Sequence, residues 1–425
     1  MTGSHAPLDR ERILALARSC GADDAGLVEV DRPGLGPQRE RIEALLPGAR
    51  TLVALAVRLN PDNLRSVRRS AADLEFAHGV HRVDQVAWAL GRALEGEGVR
   101  WASPAAGFPM DVEHWPRPIW PLEHKTVAVE AGLGHIGRNR ILLHPAFGAA
   151  VAIGTLVLDR DAGAYDAPLP ESPCLGCGLC ATACPTGAVR ADGAFSFANC
   201  ATHAYRFRLG GFADWVDQVA GARGARDYRR RVPDAETMGF WQGLTYQISQ
   251  SCGYCVAACP AGRGAEAFRA DRKGFARRVV HPLRDRVETV YVLPGTDAEE
   301  AVPRRFPHKR VRRVAGGIRP DSASTFLMGL PLLFQKDRAG DLDARYHFRF
   351  TGDEALEATV TIGGGEVRVE PGLVGTPDLT VTADARAWVG FLRKERGLLP
   401  AILARKIRLR GPVRLLKAFA RCFPS

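Results

Sequence analysis

No stretch of the 425-residue chain approaches the ~18 consecutive apolar residues that a membrane-spanning helix needs. Residues 1–20 lack the uninterrupted apolar core of an export signal, because Asp9, Arg10, Glu11 and Arg12 break it. The chain is therefore expected in the cytoplasm. Lysine is scarce, with seven Lys against 51 Arg. That bias, beside abundant Ala and Gly, reads as GC-rich coding rather than as a binding device. No block of consecutive basic residues forms a tail, and no aromatic-basic pattern of nucleic-acid recognition stands out. The net charge of +11 alone favours an acidic partner without choosing among transfer RNA, an anionic lipid surface and an acidic redox protein.

Gly and Pro are scattered without a collagen period. A content of 46% hydrophobic and 25% charged residues excludes a mostly disordered chain. The length suggests roughly two to four domains. The expected class is α+β and multidomain.

The ten cysteines are distributed unevenly, eight of them between Cys174 and Cys259. A secreted disulfide protein would spread them, so clustered thiols in a cytoplasmic chain point to metal. The first group, Cys174, Cys177, Cys180, Cys184 and Pro185, reads C-x2-C-x2-C-x3-C-P. Three closely spaced thiolates wrap one iron-sulfur cube while the fourth points to a second cube. Cys252, Cys255, Cys259 and Pro260 repeat the pattern one cysteine short, and Cys200 is available as the missing ligand. By the usual crossing, one [4Fe-4S] cluster takes Cys174, Cys177, Cys180 and Cys259. The other takes Cys184, Cys200, Cys252 and Cys255. Zinc ribbons favour separated C-x2-C knuckles, which weighs against a pair of zinc sites. Cys20 and Cys422 read as packed thiols.

Two clusters form a wire, and a bare dicluster ferredoxin is far shorter than this chain. Before the cysteines, apolar spacing predicts a helix over 9–20, a strand over 25–30, a buried strand over 51–57, a helix through Val83, Val86, Leu90 and Leu94, and a strand over 150–158. The segment from Gly132 through Gly134, His135, Gly137, Arg138 and Asn139 contains G-x-G-x-x-G. A dinucleotide fold would want that motif in its first βα turn, and here it lies deep in the domain. Closely spaced glycines also let backbone approach a large flat cofactor.

The runs PLEHKTVAVEAGLGHIGRNRILLHPAFG (121–148), IGTLVLD (153–159), PCLGCGLCATACPTGAV (173–189), the isolated Cys200 and CGYCVAACP (252–260) resemble epoxyqueuosine reductase and, more distantly, the reductive dehalogenases. The resemblance covers about residues 1–270. It implies a nitroreductase-like α/β domain that holds cobalamin, followed by a dicluster ferredoxin-like domain that delivers electrons to cobalt. It also implies a low-potential donor such as ferredoxin or flavodoxin, and Gly132, Gly134, His135, Gly137, Arg138 and Asn139 as cofactor-binding residues. One departure stands out. The family carries a catalytic Asp in a D-S-x-P-V-x-E motif just before the glycine segment, and residues 117–124 here contain no Asp. Residues 107–116 form an apparent insertion. A two-electron reduction needs protons, so Asp111, Glu113, His114, Glu123 and His124 are the candidate acids. Taken singly, each reads more readily as a solvated loop residue. His135 either faces cobalamin or caps its loop, and His144 reads as structural.

After the cysteines, the basic stretch 269–286 reads as a solvated face, with strands over 287–293 and 310–314 and a short helix over 298–301. Gly316, Gly317 and Pro320 read as a linker. Alternating Tyr346, Phe348 and Phe350, then Val360 and Ile362, Val367 and Val369, and Leu379 and Val381 predict strands. Apolar patterns at 326–334, 388–392, 398–403 and 415–423 predict helices. This order, with PDLTVTADARAW (377–388) and KIRLRGPVRLLKAF (406–419), resembles the sterol carrier protein type 2 domain. It implies a sterol-carrier-like α/β fold around an apolar tunnel for lipid, against the alternative of an ordinary core. The arginines of the last 30 residues suit either an anionic lipid surface or a solvated helix face.

The expected organisation is thus a cobalamin-binding-like domain (1–165), a double [4Fe-4S] domain (166–270), an unassigned linker (271–320) and a lipid-binding-like domain (321–425). The expected activity is a cobalamin-dependent iron-sulfur reduction of an apolar substrate. The alternatives are a non-catalytic electron-transfer or cobalamin-handling protein, and an epoxyqueuosine reductase acting on transfer RNA.

Overall fold

The run Thr51–Arg58 alternates its contacts although nearly every residue in it is apolar. Val53, Leu55 and Val57 pack into one core, while Leu52, Ala54 and Ala56 pack into another. A strand turns successive side chains to opposite faces, so this strand is buried on both sides. The computed structural model describes residues 8–112, 120–246, 252–317 and 319–424. Its first sheet has the order β1-β2-β6-β3, with β1 Asp24–Glu29, β2 Thr51–Arg58, β3 Trp101–Ala102 and β6 Val151–Leu158. All its pairings are antiparallel.

Helix α1, Arg10–Ser19, is capped by Asp9, whose carboxylate accepts from the Glu11 N–H, and it buries Ile13, Leu14 and Ala17. Helix α2, Arg69–Glu95, covers the same face of the sheet. It approaches closely at Gly91, where a Cβ would stand 2.3 Å from the Trp101 ring. Helix α3, His124–Glu130, covers the opposite face. A two-stranded ribbon, β4 His135–Ile136 with β5 Leu142–Leu143, follows it.

The cysteine region is mostly helical. It contains α4 Leu179–Ala183, α5 Phe197–Ala204, α6 Leu209–Ala220, α7 Asp234–Tyr246 and α8 Tyr254–Ala257. The unassigned stretch 271–320 contains the two strands and the helix that its pattern predicts. Strand β7, Thr289–Val292, pairs in parallel with β8, Arg310–Arg313, across helix α9, Asp297–Arg305. Gly317 packs Cα to Cα on Gly210, so the glycines expected to give freedom give close approach instead. In the basic stretch Arg269, Arg272, Lys273, Arg277, Arg278 and Arg284 are exposed, as a solvated face requires, whereas Arg286 pairs with Glu288, which also receives the buried Lys309 Nζ at 2.8 Å.

The last sheet is mixed, in the order β11-β10-β9-β12-β13. Its strands are β9 Ala344–Thr351, β10 Leu356–Gly363, β11 Glu366–Pro371, β12 Leu379–Asp384 and β13 Ile407–Arg410. Only β9 and β12 pair in parallel. Helices α10 Ala323–Leu333, α11 Ala385–Leu392, α12 Leu398–Leu403 and α13 Val413–Cys422 accompany it. Phe326, Tyr346, Phe348, Trp388, Phe419 and Phe423 form an aromatic cluster between the helices and the sheet. Their neighbouring ring centroids lie 4.5–5.7 Å apart. The chain is therefore a mixed α+β, multidomain protein.

This unit is bolted to the cysteine region. Arg190 makes two 2.8 Å bonds to the Asp337 carboxylate, Lys336 reaches Asp192 at 2.7 Å, and the Gln335 Oε1 accepts from the Asp297 N–H at 2.9 Å.

Candidate functional site

Gly176 and Gly178 stand between the first cysteines with φ of +63° and +73°, and Gly253 follows Cys252 with φ +93°. A side chain is strained in that region, and these turns let short loops curl their thiols inward. Cys174, Cys177, Cys180 and Cys259 line one cavity of about 350 Å³, together with Asn139. In the second set, Cys200 rides on α5, which Ser196 caps by accepting from the Asn199 N–H, and Cys252 and Cys255 flank the start of α8. Cys180, Cys184, Cys200 and Cys255 pack around Ala181, Ala188 and Val189.

Electrostatics sorts the thiols into the same two groups. Burial pushes Cys259 up to about 11, and the charges of Cys177, Cys180 and Cys174 push the same way. Burial pushes Cys252 up to about 12, with Cys184 adding to it. Cys255 is held well above the usual thiol range by burial first, then by Cys252, Cys200 and Cys184, with Cys180 of the first set acting more weakly. Thiols this crowded and buried keep their protons unless a cation takes their place. Among the described residues no three His, Cys, Asp or Glu side chains converge on a single-ion position. A cube binds each thiolate at a separate iron corner, so its ligands stand further apart than those of a lone zinc ion. The donor set of four thiolates per group fits such a cube.

A cleft of about 1540 Å³ lies beside the second group. Helix α2 forms one wall with Asp73, His81 and Asp84, and Tyr205 and Arg208 face it from beyond α5. Val256, next to Cys255, is part of its lining. Lys125 projects into the open cleft, solvent-accessible yet surrounded by protein, and donates to the Arg140 carbonyl at 2.7 Å. Burial lowers its pKa, while the thiols of Cys200 and Cys255 are near enough to raise it. Asp84 accepts from the Ala106 N–H at 2.8 Å, and burial raises its pKa. Asp73 is the group that sequence reasoning missed. Its Oδ1 is buried without a hydrogen-bond partner among the described residues, and burial pushes the carboxyl up to about 7 against the pull of Arg69, Arg286 and Arg208. No local motif marks it. The only signal was a lone acid among Ala72, Phe76 and Ala77 on a helix face.

The expected acids fall elsewhere. Asp111 is exposed, and Glu113 and His114 lie outside the described residues. Glu123 faces solvent, 3.5 Å from Arg41, and accepts from Thr126. His124 is buried with both ring nitrogens engaged, by Thr155 Oγ1 at 2.9 Å and the Ala105 carbonyl at 3.0 Å. Burial lowers its pKa, so it is a neutral structural imidazole rather than an acid.

The glycine segment also departs from expectation. A Cβ on Gly132 would stand 2.6 Å from the Ala167 carbonyl oxygen, and one on Gly134 would stand 2.3 Å from that of Leu143. Gly137 is closed off by the Leu143 side chain. At these glycines the space a Cβ would take is filled by the chain's own backbone and side chains. His135 caps its loop by bonding the Leu169 carbonyl at 2.8 Å. Arg138 and Asn139 line the first cysteine cavity, and Asn139 donates to the Cys255 carbonyl at 3.3 Å. His144 bonds Asp24 at 2.9 Å and stacks on Phe147, a structural role. Cys20 and Cys422 stand outside both thiol groups, and the buried Cys422 thiol donates to the Ala418 carbonyl.

A second crevice, about 600 Å³ and mostly apolar, shares Phe197, Tyr205 and Leu209 with the cleft and reaches Leu333 at the end of α10. No helix among the described residues is long and apolar enough to cross a membrane.

Residues 169–190 match the family described as 4Fe-4S binding domain, and residues 333–424 match the SCP-2 sterol transfer family. The epoxyqueuosine reductase of Synechococcus sp. (strain RCC307) is 33% identical over 157 residues, which is 36% of this chain and 45% of that protein. The chain thus spans under half the length of the curated relative it matches. Among solved structures, epoxyqueuosine reductase from Streptococcus thermophilus aligns with a TM-score of 0.36 at 16% identity, covering 65% of this chain and 82% of that one. Sterol Carrier Protein 2 Like 2 from Aedes Aegypti aligns with a TM-score of 0.18 at 20% identity, covering 23% of this chain and 92% of that one. The chain therefore joins a segment similar to epoxyqueuosine reductase to a sterol-carrier-type unit.

Proposed function

We propose that this protein is a cobalamin-dependent oxidoreductase that reduces an apolar substrate with electrons delivered through two [4Fe-4S] clusters. The observation that carries the proposal is the large, mostly apolar cleft whose lining includes Val256, adjacent to Cys255. Cys174, Cys177, Cys180 and Cys259 would hold one cluster, and Cys184, Cys200, Cys252 and Cys255 the other. Cobalamin would sit in the cleft against α2, Tyr205 and Arg208, where it would supply a reducing cobalt centre that side chains alone cannot provide. The unpartnered Asp73 oxygen supports a ligand in that space, since a buried polar atom is costly without one.

The chain's own part is binding and proton supply. Asp73 holds a proton on its carboxyl near neutral pH, as a general acid requires. It takes the role that the resemblance gave to an Asp missing from residues 117–124. Lys125 stands between the cleft and the second thiol group as a second charged contact. The crevice leading to Leu333 supports an apolar substrate, and so does the sterol-carrier match. The absence of the Asp motif weighs against the queuosine reaction.

Anaerobic reconstitution with iron, sulfide and cobalamin, removal of excess, and joint metal analysis and EPR test the reading. About eight iron and one cobalt per chain are expected. Eight iron with no retained cobalt would overturn the cobalamin assignment and leave an electron-transfer protein.

A further inference from the structure

Helix α12 turns two leucines outward. Leu398 and Ile402 pack against the aromatic core and Ala401 is buried, whereas Leu399 is 74% exposed and Leu403 83% exposed. They stand one helical turn apart, on one outer face. An isolated exposed leucine needs no explanation, but two aligned on a six-residue helix form an apolar tip.

Charge surrounds that tip. Residues 385–425 contain eleven Lys and Arg and one acid, Glu395. That stretch accounts for +10 of the chain's +11. Arg393, Lys394 and Arg396 precede the helix, Arg405 and Lys406 follow it, and all five are exposed. Only Lys406 among them has an ion-pair partner among the described residues, Asp384 at 3.3 Å. Lys394 and Arg405 adopt φ of +61° and +57°, a region that favours glycine or asparagine. The two turns that bracket the leucines therefore carry cations where the backbone favours another residue.

We propose that α12 is the tip by which this protein docks on an anionic phospholipid surface, with Leu399 and Leu403 entering the headgroup boundary and the flanking cations meeting lipid phosphates. An apolar centre with a cationic rim is the signature of interfacial binding. A nucleic-acid surface would instead place stacking aromatics or polar groups at its centre, and leucine offers neither. The proposal is independent of the cobalamin reading, because no residue in it touches the cleft.

The test is co-sedimentation of the full chain with vesicles of phosphatidylcholine, with and without phosphatidylglycerol. Binding is expected only to the anionic vesicles. Leu399→Ser with Leu403→Ser is expected to weaken it by about tenfold or more. Lys394→Asn with Arg405→Asn, which suits the left-handed backbone, is expected to weaken it comparably and to reduce its salt sensitivity. Both variants alter exposed side chains, and unchanged circular dichroism and iron content would certify the fold. Wild-type binding by the leucine variant would overturn the proposal. So would binding to a short RNA with no affinity for vesicles.

Discussion

Arg69 on α2 reaches the cysteine region, where its guanidinium donates to the Cys252 carbonyl at 2.7 Å. The same group holds the carbonyls of Leu64 and Ser66 at 2.9 and 3.0 Å and lies 4.9 Å from the Tyr254 ring. One buried side chain thus ties the first sheet domain to the loop that presents Cys252. Arg69→Met is expected to cost about 2–4 kcal/mol, because several carbonyls lose their donors together. The proposed cluster that includes Cys252 should bleach faster in air than the other proposed cluster. Denaturation and the decay of visible absorbance would measure the two effects.

Cys200 lies apart from both cysteine motifs and outside the matched 4Fe-4S segment. Cys200→Ala is expected to lower iron from about eight to about four per chain, as one cube is lost. Iron analysis of the reconstituted variant checks this, and a value still near eight would remove Cys200 from the ligand set.

Asp73 should make stability depend on pH. Its pKa rises from 3.8 to about 7 on folding, chiefly through burial. Between those values the folded chain keeps a proton that the unfolded chain has released, so Asp73 costs stability increasingly as pH rises, up to a plateau above about 7. Asp73→Asn removes the cost. The variant should therefore gain more over the wild type at pH 8 than at pH 5, by an amount on the order of 2 kcal/mol. Thermal unfolding at both values measures it. An equal gain at both would mean that Asp73 does not hold its proton in the fold.

Arg206 is buried between two carboxylates, bonding Asp214 at 2.6 Å and Glu236, and Glu236 also meets Arg312 at 2.5 Å. Arg206→Leu would strand Asp214 without a cation. A loss of about 3–5 kcal/mol is expected in chemical denaturation.

The contacts between the cysteine region and the last domain should contribute unequally. Asp337 is half-exposed, so Asp337→Asn is expected to cost at most about 1 kcal/mol despite the paired Arg190 bonds. Gln335 is fully buried, and its side chain bonds the Asp297 N–H and the Leu333 carbonyl. Gln335→Ala should cost about 1–3 kcal/mol. Limited proteolysis of the two variants would rank the contacts independently.

Much of the fold was legible locally. The strand at 51–57 and the helix at 9–20 appear within a residue of their expected ends, and the alternating residues of the last domain lie in strands, although the one through Val360 and Ile362 starts earlier, at Leu356. Each rests on a period of side chains that one element repeats. The linker reading of Gly316 and Gly317 rested on a local signal that is the same whether they flex or pack. Gly317 meets Gly210, on a segment about a hundred residues away, and Gly316 faces the Leu293 side chain.

The sequence by itself determined the eight cysteines and their spacing, the alternation of the strands and the surplus of cations after residue 384. Such features are local, and backbone geometry converts them directly into elements. Only the tertiary structure decided that His124 is locked, that the glycines of 132–137 receive the chain's own backbone and side chains, and that Asp73 keeps an oxygen without a partner. A side chain's proton and its exposure depend on what other elements bring against it. Helix spacing alone could not show that α2, α5 and α8 would enclose a cleft around one carboxyl.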